Sequence, residues 1–168
     1  MFSRATGSEK LFLIPGNYQF FLLRLRKYIL PIAYVYAYCL LPNHIHLLVR
    51  IKELPAIKKY FEEKKKGKIF TEEGVPDFLM ERFSNLLNSY AKSYNKFYDR
   101  KGSLFIYYIR RVEITTDNQL WSTVFYIHKN PVHHGYCEAI KDWPWSSFQV
   151  YEKRKWSWIR RDEVLRCF

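Results

Sequence analysis

The stretch Tyr38–Ile51, YCLLPNHIHLLVRI, constrains the fold of this chain more than any other. Just before it, IAYVYAYCL is β-branched and aromatic, which reads as a strand. Leu41-Pro42-Asn43 breaks the apolar run, and HIHLLVRI resumes it at once. Two strands separated by so short a break are expected to pair as an antiparallel hairpin. Within the second strand His44 and His46 are two residues apart, so both imidazoles lie on one face while Ile45 points into the core. Polar rings at the start of a strand as apolar as His44–Val49 need partners. Two nitrogens side by side form half of a metal site, with positions left for substrate oxygens and a further protein ligand. A bare H-x-H is short and common, however, and alone reads more readily as two ordinary strand histidines.

The rest of the chain supplies mostly helices. GNYQFFLLRLRKYILP is apolar at helical spacing, with Asn17 as a cap and Pro31 as the stop. AIKKYFEEKKKGK reads as a short helix ending in a lysine run, and FLMERFSNLLNSYAKSYNKFYDRK as a long one ended by Gly102. IYYIRRVEI reads as a strand. Asp117 caps a helix over NQLWSTVFYIHKN that Pro131 terminates, and a last helix follows Asp162. Helices and antiparallel strands mixed in 168 residues imply one α+β domain over 1–168. Its core spans about 9–150, and residues 151–168 form a basic, aromatic C-terminal extension.

A net charge of +12 favours an anionic partner, nucleic acid first and an anionic membrane surface second. There is no run of about 18 apolar residues and no secretory signal pattern, so no membrane span is expected. Cys39, Cys137 and Cys167 include no C-x-x-C pair, which suggests reduced thiols in a cytoplasmic protein.

A second constellation lies in FYIHKNPVHHG. Tyr126 and Asn130 are four apart on the expected helix and share a face. A phenol and an amide oxygen so placed could serve as nucleophile and metal ligand, though a packing aromatic and a polar helix end read more simply. Lys58, Lys59, Lys64, Lys65, Lys66, Lys68, Arg110 and Arg111 could contact phosphates, and Trp156 and Trp158 could stack on unpaired bases.

Taken together, CLLPNHIH, GSLF, YIHKNPVHHG and WPWSSF occur in order at suitable separations. In this the chain, from about Glu9 to its end, resembles the single-tyrosine transposases with a His-hydrophobic-His motif, nearest the REP-associated tyrosine transposases. The resemblance implies a ferredoxin-like antiparallel sheet flanked by helices, usually dimeric. It implies that His44, His46 and Asn130 bind Mg²⁺ or Mn²⁺, and that Tyr126 attacks a phosphate of single-stranded or hairpin DNA to give a 5′-phosphotyrosine. Within this reading the basic balance makes Lys64, Lys65, Lys66, Arg110 and Arg111 the expected DNA contacts, though a solvated charge face is the default for any such run.

Two departures stand out. Relatives begin with a central strand ahead of the position of Phe2, so the sheet is expected to lack its first strand here. After GSLF, where relatives carry a polar and basic pair, this chain has Ile106 and Tyr107, and Tyr107 and Tyr108 are rival tyrosines. The other function class is a non-catalytic nucleic-acid-binding relative. A two-histidine phosphoesterase would want a second H-x-[ST] motif, which is missing.

Overall fold

The computed structural model describes residues 1–107, 109–154 and 156–166. The described chain forms two compact units. Unit 1 comprises Met1–Ile14, Val35–Val49 and Leu104–Phe168, and unit 2 comprises Pro15–Tyr34 and Arg50–Ser103.

Unit 1 is built on a three-stranded antiparallel sheet in the order β1-β3-β2, with β1 Phe2–Arg4, β2 Ala33–Leu41 and β3 His44–Ile51; the last residues of β2 and β3 away from their turn fall in unit 2. All but one residue of β2 are buried, which explains why it reads as a continuous apolar run rather than an alternation. Register sets Phe2 opposite His46 and Arg4 opposite His44. The expected absence of a first strand is thus corrected. Phe2–Arg4 fills that place, short as it is, and its second edge is bridged at Phe2↔Arg110 and Ala5↔Phe105. Those isolated bridges also correct the strand expected over IYYIRRVEI. A neighbour of three residues cannot support a long ladder, so among the described residues the segment bridges β1 only at Arg110 (Tyr108 lies outside the described residues).

Beyond the sheet lie α4 Asp117–His133, a 3₁₀ turn at Ile140–Asp142, α5 Phe148–Lys153 and α6 Arg161–Arg166. The last segment docks on β2 through a parallel bridge Val35↔Ile159 and a Tyr38–Trp158 stack at 5.7 Å, so Trp158 packs while Trp156 is 95% exposed.

Helix α4 departs from expectation at both ends. Its cap is Thr116, not Asp117: Thr116 Oγ1 accepts from Gln119 N, while Gln119 Oε1 accepts from Thr115 N. The Thr lies three residues before the Gln whose N–H it caps, and the Gln side chain reaches one residue beyond the cap, to Thr115. Pro131 does not end the helix but lies inside its last turn, where few hydrogen bonds remain to be lost, and Gly135 follows with φ +69°.

Unit 2 holds α1 Pro15–Ile29, α2 Leu54–Lys64 and α3 Val75–Phe97. Phe21 meets Tyr90 edge-on at 5.2 Å between α1 and α3. Asn17 lies inside α1 rather than at its cap, and its Oδ1 accepts from Tyr98 Oη. α3 stops at Tyr98, with Asp99 at φ +47°, before Gly102.

Candidate functional site

Both histidines of β3 are buried, each 8% exposed. Their rings stand at right angles with centroids 5.1 Å apart. Phe2, opposite His46 in register, lays its ring 5.7 Å from His44 and 5.0 Å from His46. Arg4, opposite His44, shares the same face and is exposed.

The tautomer of His44 is fixed by its neighbour. Asn43 Oδ1 can only accept, so His44 Nδ1–H donates to it at 2.7 Å and Nε2 keeps a free lone pair. Burial pushes the His44 imidazole down to about 4, helped by His134 and opposed by Asn130. Burial, then the other charges around it, pushes His46 down to about 3, again opposed by Asn130. Both rings are therefore neutral near pH 7, the form that binds a metal.

Helix α4 contributes the remaining groups. Asn130 is 1% exposed. Its Nδ2 donates to Tyr126 O at 2.7 Å, which directs the amide oxygen the other way. Asn130 raises the proton affinity of both histidines, so its amide lies close to their rings, yet the oxygen is buried and makes no hydrogen bond of ordinary geometry. A buried carbonyl without a donor costs free energy unless a cation or water satisfies it. Tyr126, 54% exposed, sits at right angles to His46 with ring centroids 5.5 Å apart. The turn after α4 adds His134, whose ring lies 4.9 Å from His44.

The donor set is thus two neutral imidazoles and one orphaned amide oxygen, and it suits a divalent ion with open positions. Among the described residues no three His, Cys, Asp or Glu side chains are grouped to hold a metal, so Asn130 is needed to complete the set.

The structure therefore brings together four residues singled out from the sequence: His44, His46, Tyr126 and Asn130. Of the expected DNA contacts, Arg110 bridges β1 on this face, and Arg111 is exposed beside it. Lys64, Lys65 and Lys66 belong to unit 2. Lys65 is tied to Glu81 at 2.8 Å, Lys64 lies over the Tyr60 ring, and Lys66 is exposed. Sequence reasoning passed over Asn43, Phe2, Arg4 and His134. His134 was legible, since it lies four residues after Asn130. His128 faces away from the site and packs in the core, its Nε2 2.8 Å from Ser147 Oγ.

No family model matches the chain. A Haemophilus influenzae protein assigned as a REP-associated tyrosine transposase is 33% identical over 117 residues, 67% of this chain and 57% of that protein. This chain is a relative of the REP-associated tyrosine transposases. It spans somewhat over half the length of that curated relative. A solved structure of a REP-associated tyrosine transposase bound to a REP hairpin matches with a TM-score of 0.66 at 16% identity. That match covers 94% of this chain and 80% of the other, and it shows that the two share a fold.

Proposed function

We propose that this chain cleaves and rejoins single-stranded or hairpin DNA in a metal-dependent transposition reaction, with Tyr126 as nucleophile and His44, His46 and Asn130 as metal ligands. The observation that carries the reading is the buried, unpartnered Asn130 Oδ1 beside two neutral imidazoles, with the Tyr126 ring next to them in the same chain. The relative's name and the hairpin held by the structural neighbour support DNA as the substrate.

A bound Mg²⁺ or Mn²⁺ would supply Lewis-acid neutralisation of charge on the non-bridging phosphate oxygens. The protein's own part is positioning. Asn43 orients His44, Phe2 packs on both imidazoles, and the Nδ2 bond to Tyr126 O turns the Asn130 oxygen inward. Tyr126 Oη attacks phosphorus, the P–O bond to the 3′-oxygen breaks, and a 5′-phosphotyrosine and a 3′-hydroxyl result. A phenolate leaves readily, so the 3′-hydroxyl can reverse the step and no nucleotide cofactor is needed. Half-exposed Tyr126 is open to a strand arriving from solvent.

A non-catalytic DNA-binding relative would need none of this geometry, and covalent capture separates the two readings. Purified protein is incubated with labelled hairpin DNA and Mn²⁺, then run on a denaturing gel. A labelled adduct is expected from the wild type and from neither Tyr126→Phe nor His44→Ala. Absence of adduct from folded, DNA-bound wild type would leave binding alone.

A further inference from the structure

Between the segment 112–114 and one face of α4 runs an open groove of about 460 Å³. Asn118, Gln119, Ser122 and Thr123 line it in order and Tyr126 closes the row. Steps of three and four residues put all five on one helical face. The opposite wall carries two apolar side chains, Val112 and Ile114, with Glu113 between them. The groove thus ends at the nucleophile, and its volume falls in the range of about 300–1,000 Å³ typical of small-ligand sites.

The chain carries a net charge of +12, yet no lysine or arginine lines the groove and a carboxylate does. A phosphate backbone would be repelled there. Amides, hydroxyls and a carboxylate are instead the groups that read base edges. Gln119 Oε1 is committed to Thr115 N and Oγ1, which fixes the amide and leaves its Nε2 to donate. Apolar Val112 and Ile114 offer a surface for the flat face of a base.

We propose that this groove is a nucleobase-reading subsite for the unpaired strand beside the scissile phosphate, an inference that rests on the nuclease reading above. A base with an exocyclic amine suits it best: the Asn118 amide can bond adenine in bidentate fashion, and cytosine can donate to the Glu113 carboxylate. The site therefore favours adenine or cytosine next to the cleaved bond.

The test is selection of bound strands from hairpin DNA whose single-stranded flank is randomised, using the full chain in chelator so that nothing is cut. The wild type is expected to enrich adenine or cytosine at one or two positions. Asn118→Ala, Thr123→Val and Glu113→Gln should each flatten the preference about tenfold at one position, the loss typical of a single base contact. Asn118 and Glu113 are exposed, and Thr123→Val keeps its shape, so folding is preserved. An abasic linker at the preferred position should weaken binding to the wild type by a similar factor. Unchanged preference in all three variants, or full binding of the abasic strand, would overturn the subsite. Adducts measured with Mn²⁺ on the selected strand keep the two claims apart. Preference flattened by the variants but no adduct would leave the subsite standing and remove the nuclease.

Discussion

Asn130→Leu should make the metal-free protein more stable while removing its response to divalent ions. Asn and Leu branch at the same atom, and Asn130 is 1% exposed. The wild-type Oδ1 is buried without a partner, a cost of about 1–3 kcal/mol that leucine avoids. The loss on the other side is the Nδ2 bond to Tyr126 O, worth about 0.5–1.5 kcal/mol. Tyr126 O sits inside α4, so backbone pairing already satisfies it in part and the loss falls at the low end. The balance is a gain of about 1 kcal/mol, or roughly 2–4 °C in Tm for a chain of this size. Thermal unfolding in EDTA and at rising Mn²⁺ measures both effects. The wild type should gain stability with ion concentration as ligand linkage requires, while Asn130→Leu starts higher and stays flat. A variant that is less stable in EDTA, yet still stabilised by Mn²⁺, would refute the claim that this oxygen is held unsatisfied for an ion.

Other perturbations have equally definite outcomes. Burial holds His128 at about 4 against about 6.5 in the unfolded chain, so its lowered pKa costs nothing above pH 6.5 and destabilises the fold as pH falls from there to about 4. That loss totals about 3 kcal/mol, and denaturant titrations of His128→Gln should show a shallower acid dependence than wild type by about that amount. Asn43→Ala frees the His44 ring to choose either tautomer and should weaken Mn²⁺ binding about 10–100-fold by calorimetry, with the fold intact. If Lys64, Lys65 and Lys66 contact phosphates, replacing all three with Ala should lower the slope of log affinity against log salt by up to about 3; an unchanged slope would remove them from the interface.

Much of the site was legible because local spacing determines it. Residues two apart on a strand and four apart on a helix must share a face, so His44 with His46 and Tyr126 with Asn130 could be paired off before any tertiary structure was known. What spacing does not carry is which elements lie side by side. Phe2–Arg4 has no strand pattern of its own, and only pairing with β3 and bridging to Arg110 make it one. IYYIRRVEI has the residue types of a strand, but the short neighbour limits its pairing, among the described residues, to the bridge at Arg110. Pro131 is tolerated because the helix ends within a turn of it. The groove along α4 was illegible for a related reason: its far wall is 112–114, set by where the chain runs after its bridges to β1.

The most direct test of Tyr126 as nucleophile is to locate the adduct by mass. Trypsin should release Val112–Lys129, a peptide in which Tyr126 is the only tyrosine. After reaction with hairpin DNA and Mn²⁺, then nuclease trimming, that peptide is predicted to carry the residual phosphonucleotide on Tyr126. The modification on another tyrosine, such as Tyr107 or Tyr136, would contradict the assignment.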